Sequence, residues 1–495
     1  MGCHMNRSKA LSFLPVLFFA ALSLTACSGP KTGCTLNCGS GGTATVSLTL
    51  AAVPFVPPPS TSILSFAVTI NGVTLTPANG SPVNIPLNAA TYVVDLTRLQ
   101  SDSAFLGQVL ANVPAGTYNK ITVNVTSAVV TYCTDLGGVV GCDTASVKQV
   151  SQTAATMPAT SSFSATLTSG QKTGFQIQFN LANAITINST QPQVVSKVDL
   201  GAANVLTASA LPPTSSSLAT GQLDFVEDVT GVVTAASASS VTVKTSSRGS
   251  MTAALNQSTF LVSNCVTTNA TCAPAVGQFA SIDTALNADG TFTALEYDPI
   301  APTSSDWIEG IVSLTPTVPT QLQIVTNDIS LASTGSHIGA NLNVGDPVQI
   351  TLSGVQPFAV DSKGLPVITT SFKGSSDATT IIPGQTVALH VTAFTAKSST
   401  ALAVATVDTV VLRFTRVTGA NVSSVANPFF NIQSLPPFFG PAVSYQVQIT
   451  SATPSTNYDG SPDTSTLQGA NVSIRALYFG SSVSPAFSAA KVRKH

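Results

Sequence analysis

Residues Val113–Cys133 read VPAGTYNKITVNVTSAVVTYC. Pro114-Ala115-Gly116 carries the residues of a tight turn, since proline presets φ and glycine accepts conformations closed to other side chains. Beyond it, Ile121, Val123 and Val125 alternate with Thr122, Asn124 and Thr126, and Tyr118 shares the parity of the polar set. A period of two puts successive side chains on opposite faces of a strand. The stretch therefore predicts a long β-strand with one face in a core.

The same pattern extends outward from it. TVSLTLAAV (Thr45–Val53) alternates, and so does ILSFAVTINGVTLT (Ile63–Thr76), where Leu64, Phe66, Val68 and Ile70 share a face and Asn71-Gly72 reads as a turn. TYVVDLTRL (Thr91–Leu99), TGFQIQFNL (Thr173–Leu181) and SKVDL (Ser196–Leu200) add strands, and a helical turn is predicted only around Leu96–Leu110. LPPTSSS (Leu211–Ser217) reads as a linker.

Past the linker a looser theme repeats. One copy starts VTGVVTAASASSVTVKT (Val229–Thr245) and continues to VGQFASIDTALNADGTFTALEYD (Val276–Asp298). Another starts WIEGIVSLTPTVPTQLQIVT (Trp307–Thr326) and reaches VGDPVQITLSG (Val344–Gly354). Gly231 opens the first strand of one copy and Gly310 that of the other; Val-Gly turns at Gly277 and Gly345 read as a second shared feature. PGQTVALHVTAF (Pro383–Phe394), TRVTGANVSS (Thr415–Ser424) and QGANVSIRALYF (Gln468–Phe479) echo the unit. The expected fold is all-β: an N-terminal β-sandwich over 45–210, then consecutive small β-barrel or sandwich modules at 221–300 and 306–375, and a C-terminal β region of one or two modules at 380–484.

At the start of the chain, Arg7 and Lys9 precede an apolar run, Ala10–Leu24, that ends in Leu24-Thr25-Ala26-Cys27. Fifteen residues make about 22 Å of helix, short of a bilayer core, so the run reads as a secretory leader over 1–26. Its end resembles a bacterial lipobox. That resemblance implies cleavage before Cys27, acylation of its thiol and amine, and, with Ser28 next, retention at the outer membrane. An ordinary signal peptide or an uncut anchor helix is the competing reading. Residues 27–44 follow as a Gly/Ser-rich flexible tether.

With the leader removed, Cys34 and Cys38, Cys133 and Cys142, and Cys265 and Cys272 remain as three close pairs. Even number and local spacing point to disulfides in an oxidising compartment, with metal binding as the rival. Only 8% of residues are charged; loss of Arg7 and Lys9 leaves 17 of the 19 basic residues against 21 acidic ones, a formal charge of −4. A nucleic-acid ligand needs a basic footprint, and none is present.

Two family resemblances rest on these residues. Residues 45–205 resemble domain-of-unknown-function family 4382, through FAVTINGVTLT, VVDLTRL, LGQVL and VPAGTYNKITVNVTSA. The loop Cys133–Cys142 departs from that pattern, as does the missing Asp-Ala-Pro opening. Residues 225–300 and 307–370, and less closely 380–480, resemble the small β domains of family 5666, with glycine-led strands and a Val-Gly-Asp turn. The resemblances imply a β architecture and carry no catalytic residue.

The sequence offers little reaction chemistry. His390 falls on the polar side of an alternating strand, and His337 lies within reach in sequence of Asp346 or Asp361 but without a serine elbow. Asp224, Glu227, Asp228 and Glu309 sit at strand starts, where solvated roles are expected. Loops bearing Asp459 and Asp463 are the candidates for calcium, and each also makes a good turn without metal. In PFFNIQSLPPFFG (Pro428–Gly440), Phe429, Phe430, Phe438 and Phe439 form either an exposed ledge for a partner or glycan, or a segment folded on a core. The tail KVRKH (Lys491–His495) reads as a solvated end. The functional expectation is a non-catalytic envelope lipoprotein acting in adhesion, scaffolding or ligand binding, with membrane contact through its lipid, an envelope protein or glycan as partner, and no cofactor beyond calcium. A carbohydrate-active enzyme and an accessory subunit of a transport or secretion system are the alternatives.

Overall fold

The computed structural model of the chain describes residues 42–87, 89–101, 104–134, 141–142, 146–190, 192–210, 225–257, 259–261, 273–287, 291–301, 303–314, 320–353, 358–362, 365, 381–440, 442–452, 455–459 and 461–495. Cys27, Cys34, Cys38, Asp224, Cys265 and Cys272 lie outside them. Residues Gly42–His495 form one compact unit.

The first module begins with β1 (Thr43–Val53), β2 (Thr61–Pro77), β3 (Val83–Ile85), β4 (Tyr92–Asp95), β5 (Ala104–Pro114) and β6 (Gly116–Thr134). It continues with β7 (Lys148–Leu167), β8 (Lys172–Asn180), β9 (Ile185–Ile187), β10 (Val195–Val198) and β11 (Leu206–Ala210). One sheet runs β11-β8-β1-β5, with β1 and β8 parallel. The facing sheet runs β3-β2-β6-β7, with β4 also paired to β2. Leu48, Phe66, Val68, Ile121, Val123 and Phe175 meet between them in one buried core, as the alternation predicts.

Three local expectations are corrected. Asn71-Gly72 is a bulge within β2 rather than a turn, because residues on both sides keep pairing with β6. Tyr118 is only 1% exposed, since a register shift between Tyr118 and Lys120 turns it inward, where its hydroxyl donates to Pro114 O at 2.9 Å. The helical turn around Leu96–Leu110 is a short 3-10 turn, Arg98–Gln100, followed by β5; Leu99 and Leu106 are nonetheless buried.

The rest of the chain makes three six-stranded sheets of one connectivity. The first contains β12 (Phe225–Ala236), β13 (Ser240–Lys244), β14 (Ser250–Ala254), β15 (Phe260–Leu261), β16 (Phe279–Leu286) and β17 (Phe292–Ala301). The second contains β18 (Trp307–Leu314), β19 (Gln321–Ser330), β20 (Pro347–Leu352), β21 (Phe358–Val360), β22 (Thr386–Thr395) and β23 (Ala403–Arg413). The third contains β24 (Thr415–Ala426), β25 (Phe429–Gln433), β26 (Tyr445–Gln448), β27 (Asn457–Asp459), β28 (Asn471–Tyr478) and β29 (Phe487–Lys494).

In each, the first strand pairs with the second and the fifth in sequence, and the third closes onto the last in parallel, as Val348–Leu352 does onto Ala403–Val407. Setting aside the short fourth strand, this is the connectivity of a five-stranded Greek-key barrel of the OB type. The pairing of β22 with β18 puts residues 386–413 in the second barrel, so the divide at 375–380 read from the sequence falls inside that barrel. Strand parity shows that a segment is a strand and not which barrel it closes.

The repeat is exact at the backbone level but is not the one the Val-Gly spacing suggested. Gly277, Gly384 and Gly469 each donate to a carbonyl of the first strand, at Val233, Val312 and Val422. The same three valines donate back to Gln278, Gln385 and Ala470. Gly345, by contrast, precedes the third strand of its barrel. Gly231 and Gly310 are mid-strand: an added Cβ would lie 2.1 Å from Lys244 O in one case and 2.5 Å from Val325 O in the other, so the bend of the first strand excludes a side chain.

Counting from those turns, Asp283, His390 and Arg475 occupy equivalent positions in the three barrels. Around the first, Asp283, Glu296 and Asp298 are buried; around the third, Arg475, Lys491 and Arg493 are buried at the matching sites. KVRKH is therefore the closing strand of a barrel and not a solvated end. The two sets meet, with Arg475 Nη2 3.6 Å from Asp283 Oδ2 and its guanidinium 4.8 Å above the Phe414 ring. Breaking one side of a buried ion pair costs about 3–5 kcal/mol because the other charge is stranded. In a double-mutant cycle of Asp283→Asn and Arg475→Met followed by urea unfolding, the two changes together should cost less than their sum by at least about 1 kcal/mol; strict additivity would contradict the contact.

Candidate functional site

Alternation that buries Phe66, Val68 and Ile70 of β2 and Ala128 and Val130 of β6 necessarily turns their neighbours to the outer face of the sheet. Register then lines those neighbours up in rows across four strands. Val93, Thr69, Ser127 and Thr153 make one row; Ala67, Val129 and Ser151 make the next; Ser65, Thr131 and Gln149 make a third.

The third row is where the second barrel docks. Gly345 O accepts from Thr131 Oγ1 at 2.6 Å and from Gln149 Nε2 at 2.9 Å. Gly345 has φ +91°, and a Cβ there would approach Thr131 Oγ1 to 3.3 Å and Ser65 Oγ to 3.4 Å. Both the backbone and the contact call for glycine. Nearby, Asn327 Nδ2 donates to Asp95 Oδ2 at 2.5 Å and to Leu64 O at 3.3 Å, tying β19 to the sandwich.

The first two rows form the floor of a groove of about 470 Å³. One wall is the turn between β13 and β14: Val93 N donates to Ser247 O at 3.0 Å, and Ser246 Oγ bridges Ile329 O and Leu331 N. The other wall is the connection between β19 and β20, carrying Leu342, Asn343 and Val344. That connection is fixed from within, because the buried Asp306 carboxylate accepts from Ala332 N, Ser336 Oγ, His337 N and Ile338 N at 2.6–3.2 Å. Asp346 and Lys397 are the charged residues of the lining; they face each other at 3.0 Å, and Asp346 also accepts from Asn343 N. The groove is thus electrically balanced and rich in hydroxyls, and three modules build it.

Charged side chains of all four modules meet at a second junction. Glu309 meets Arg98 at 3.1 Å, Arg416 at 3.6 Å and Arg413 at 3.8 Å, while Asp328 meets Arg248 at 3.0 Å and Asp361 lies 3.7 Å from Arg413. Glu309 is therefore engaged by guanidinium groups and does not occupy the solvated strand start read from the sequence. Glu227 and Asp228 lie in β12, and Asp224 is outside the described residues.

Other sequence candidates disperse. Cys133 and Cys142 form a disulfide, and Gly141 and Cys142 bond to two barrels, through Cys142 N to Ser313 O and Gly141 N to Phe438 O. Phe430, Phe438 and Phe439 are 1%, 2% and 4% exposed and belong to the third barrel's core, with Phe429 half-buried beside them. They form no exposed ledge: Phe439 packs edge-on against Tyr478 and Phe438. Asp463 caps a 3-10 turn, accepting from Ser465 N at 2.7 Å; hydrogen bonds from the Ser465 hydroxyl and then its backbone lower the carboxyl's pKa, and the backbone of Asp459 pairs opposite Arg493. Among the described residues no three His, Cys, Asp or Glu side chains gather as metal ligands. His390 Nδ1 contacts Asp408 Oδ1 at 2.6 Å beside Trp307, while His337 is exposed and Asp346 pairs with Lys397 instead. The groove residues escaped sequence reading because Thr69, Ser127 and Thr153 are ordinary polar positions until register brings them together.

Replacing Gly345 by alanine forces the left-handed backbone region on a side chain and crowds the docking row. Urea unfolding should show a loss of about 1–3 kcal/mol; an unchanged midpoint would contradict the docking role.

Residues 42–195 match a domain of unknown function (DUF4382), a segment that covers β1 to the start of β10 and under a third of the chain. No curated protein and no solved structure matches the chain. The groove floor falls within the matched segment and its walls beyond it, so the sandwich is similar to a DUF4382 domain that here has the first two barrels docked against its outer face.

Proposed function

We propose that the chain is a non-catalytic cell-envelope lipoprotein, held at the outer membrane through acylated Cys27, whose docked modules present a ligand-binding groove. The lipobox-like Leu24-Thr25-Ala26-Cys27 supports the anchor, and the Gly/Ser-rich 28–44 stretch supports a tether that holds the body off the membrane. The observation that carries the binding role is the groove itself, whose volume falls in the range of small-ligand sites and whose lining pairs neutral polar groups with aliphatic ones.

A binding role also fits where the charges lie. Glu309 and Asp328 are committed to arginines between modules, which leaves them poorly placed to serve as an acid and base on a substrate. The shared barrel turns at Gly277, Gly384 and Gly469 support reading the three barrels as modules of the family 5666 type. No helix among the described residues is long and apolar enough to cross a membrane.

Intact-mass spectrometry of the protein extracted from membranes, beside a Cys27→Ala variant, tests the anchor. The wild-type chain should begin at residue 27 with a diacylglyceryl thioether and a further acyl chain, and the variant should leave the membrane fraction. A bare Cys27 on membrane-extracted protein would overturn the reading.

A further inference from the structure

The groove floor carries a row of hydroxyls open to a ligand. Among the described residues, the side-chain hydroxyls of Thr69, Ser127, Ser151 and Thr153 make no hydrogen bond to another protein group and stand together on one sheet face. Ser247 Oγ, buried in the adjoining wall, has no partner either. Hydroxyls both donate and accept, so such a row suits a ligand that does the same at several closely spaced positions. The charged lining groups, Asp346 and Lys397, neutralise each other at 3.0 Å, which removes any preference for a charged ligand.

We propose that the groove binds a neutral, N-acetylated sugar of one or two units. This rests on the ligand-binding reading of the same groove and names its ligand class. The sugar hydroxyls face the Thr69–Ser127–Thr153 row, and the acetamido methyl packs on an aliphatic patch made by Val93 of the floor with Leu331 and Leu342 beside it. The apolar lining is aliphatic and contains no aromatic ring among the described residues, so a methyl-bearing substituent gains more there than the bare face of a hexose. Peptide recognition by strand addition is disfavoured at β4, because Val93 N is already bonded to Ser247 O.

The test is a titration of the full-length protein in detergent, followed by saturation-transfer NMR and calorimetry. The probes are N,N′-diacetylchitobiose, the non-acetylated disaccharide cellobiose, and a neutral tetrapeptide of alanine and serine. Chitobiose should bind at least about tenfold more tightly than cellobiose, and Ser127→Phe, which fills the floor, should weaken it by at least about tenfold. Lys197→Gln, which breaks an exposed pair with Asp199 outside the groove lining, should leave chitobiose binding within about twofold. Thermal melting of both variants reports folding; should Ser127→Phe fail to fold, Thr69→Tyr makes the same test from the neighbouring strand. Binding of the peptide in preference to chitobiose, lost in the blocked variant, would overturn the sugar assignment while keeping a ligand-binding groove. Binding of none of the three probes would overturn the sugar assignment, and the mass of the Cys27 peptide would still decide the anchor separately.

Discussion

The arrangement depends on a small number of charges turned inward. In a chain with only 8% charged residues, Arg98 of the sandwich, Arg248 of the first barrel and Arg416 of the third all converge on Glu309 and Asp328 of the second. A buried charge without a partner costs several kcal/mol, so each of these groups restricts where its neighbours can sit. Apolar packing alone would allow the modules to slide; a network with one partner set per charge allows few arrangements. The groove follows from that constraint, since its floor and its two walls belong to different modules.

Internal repetition supplied the parts, and side-chain divergence gave each copy a place. All three barrels keep the backbone bonds around Gly277, Gly384 and Gly469. At one equivalent position on the fourth long strand they carry Asp283, His390 and Arg475. The acid and the base meet at the contact of the first and third barrels. The histidine of the middle copy lies against Trp307, which stacks at 5.9 Å on Phe279 of the first barrel. One backbone position thus serves as two halves of an ionic contact and as part of an aromatic one.

Much of the fold was legible in the sequence, because alternation is a local signal. Ile121, Val123 and Val125 announced their strand and its buried face without reference to any partner. Assignment of PGQTVALHVTAF was not legible, since parity does not say whether a strand closes the barrel before it or opens the one after. Phe438 and Phe439, flanked by prolines, read equally as ledge or core, and only the neighbours Tyr478 and Phe487 decide for the core. Glu309 looked like a solvated strand start because its three arginines lie more than a hundred residues away from it on either side. The candidate groove was the least legible feature: Thr69, Ser127 and Thr153 are unremarkable singly and become a surface only through strand register.

The most direct measurement of the central claim is differential scanning calorimetry of the intact protein beside Glu309→Gln, which keeps the shape of the side chain and removes its charge. If the inward charges bind the modules into one body, the wild-type protein unfolds in a single cooperative transition and the variant separates into at least two, at lower temperature. A wild-type protein that already melts module by module, or a variant that keeps the single transition at an unchanged temperature, would contradict the account.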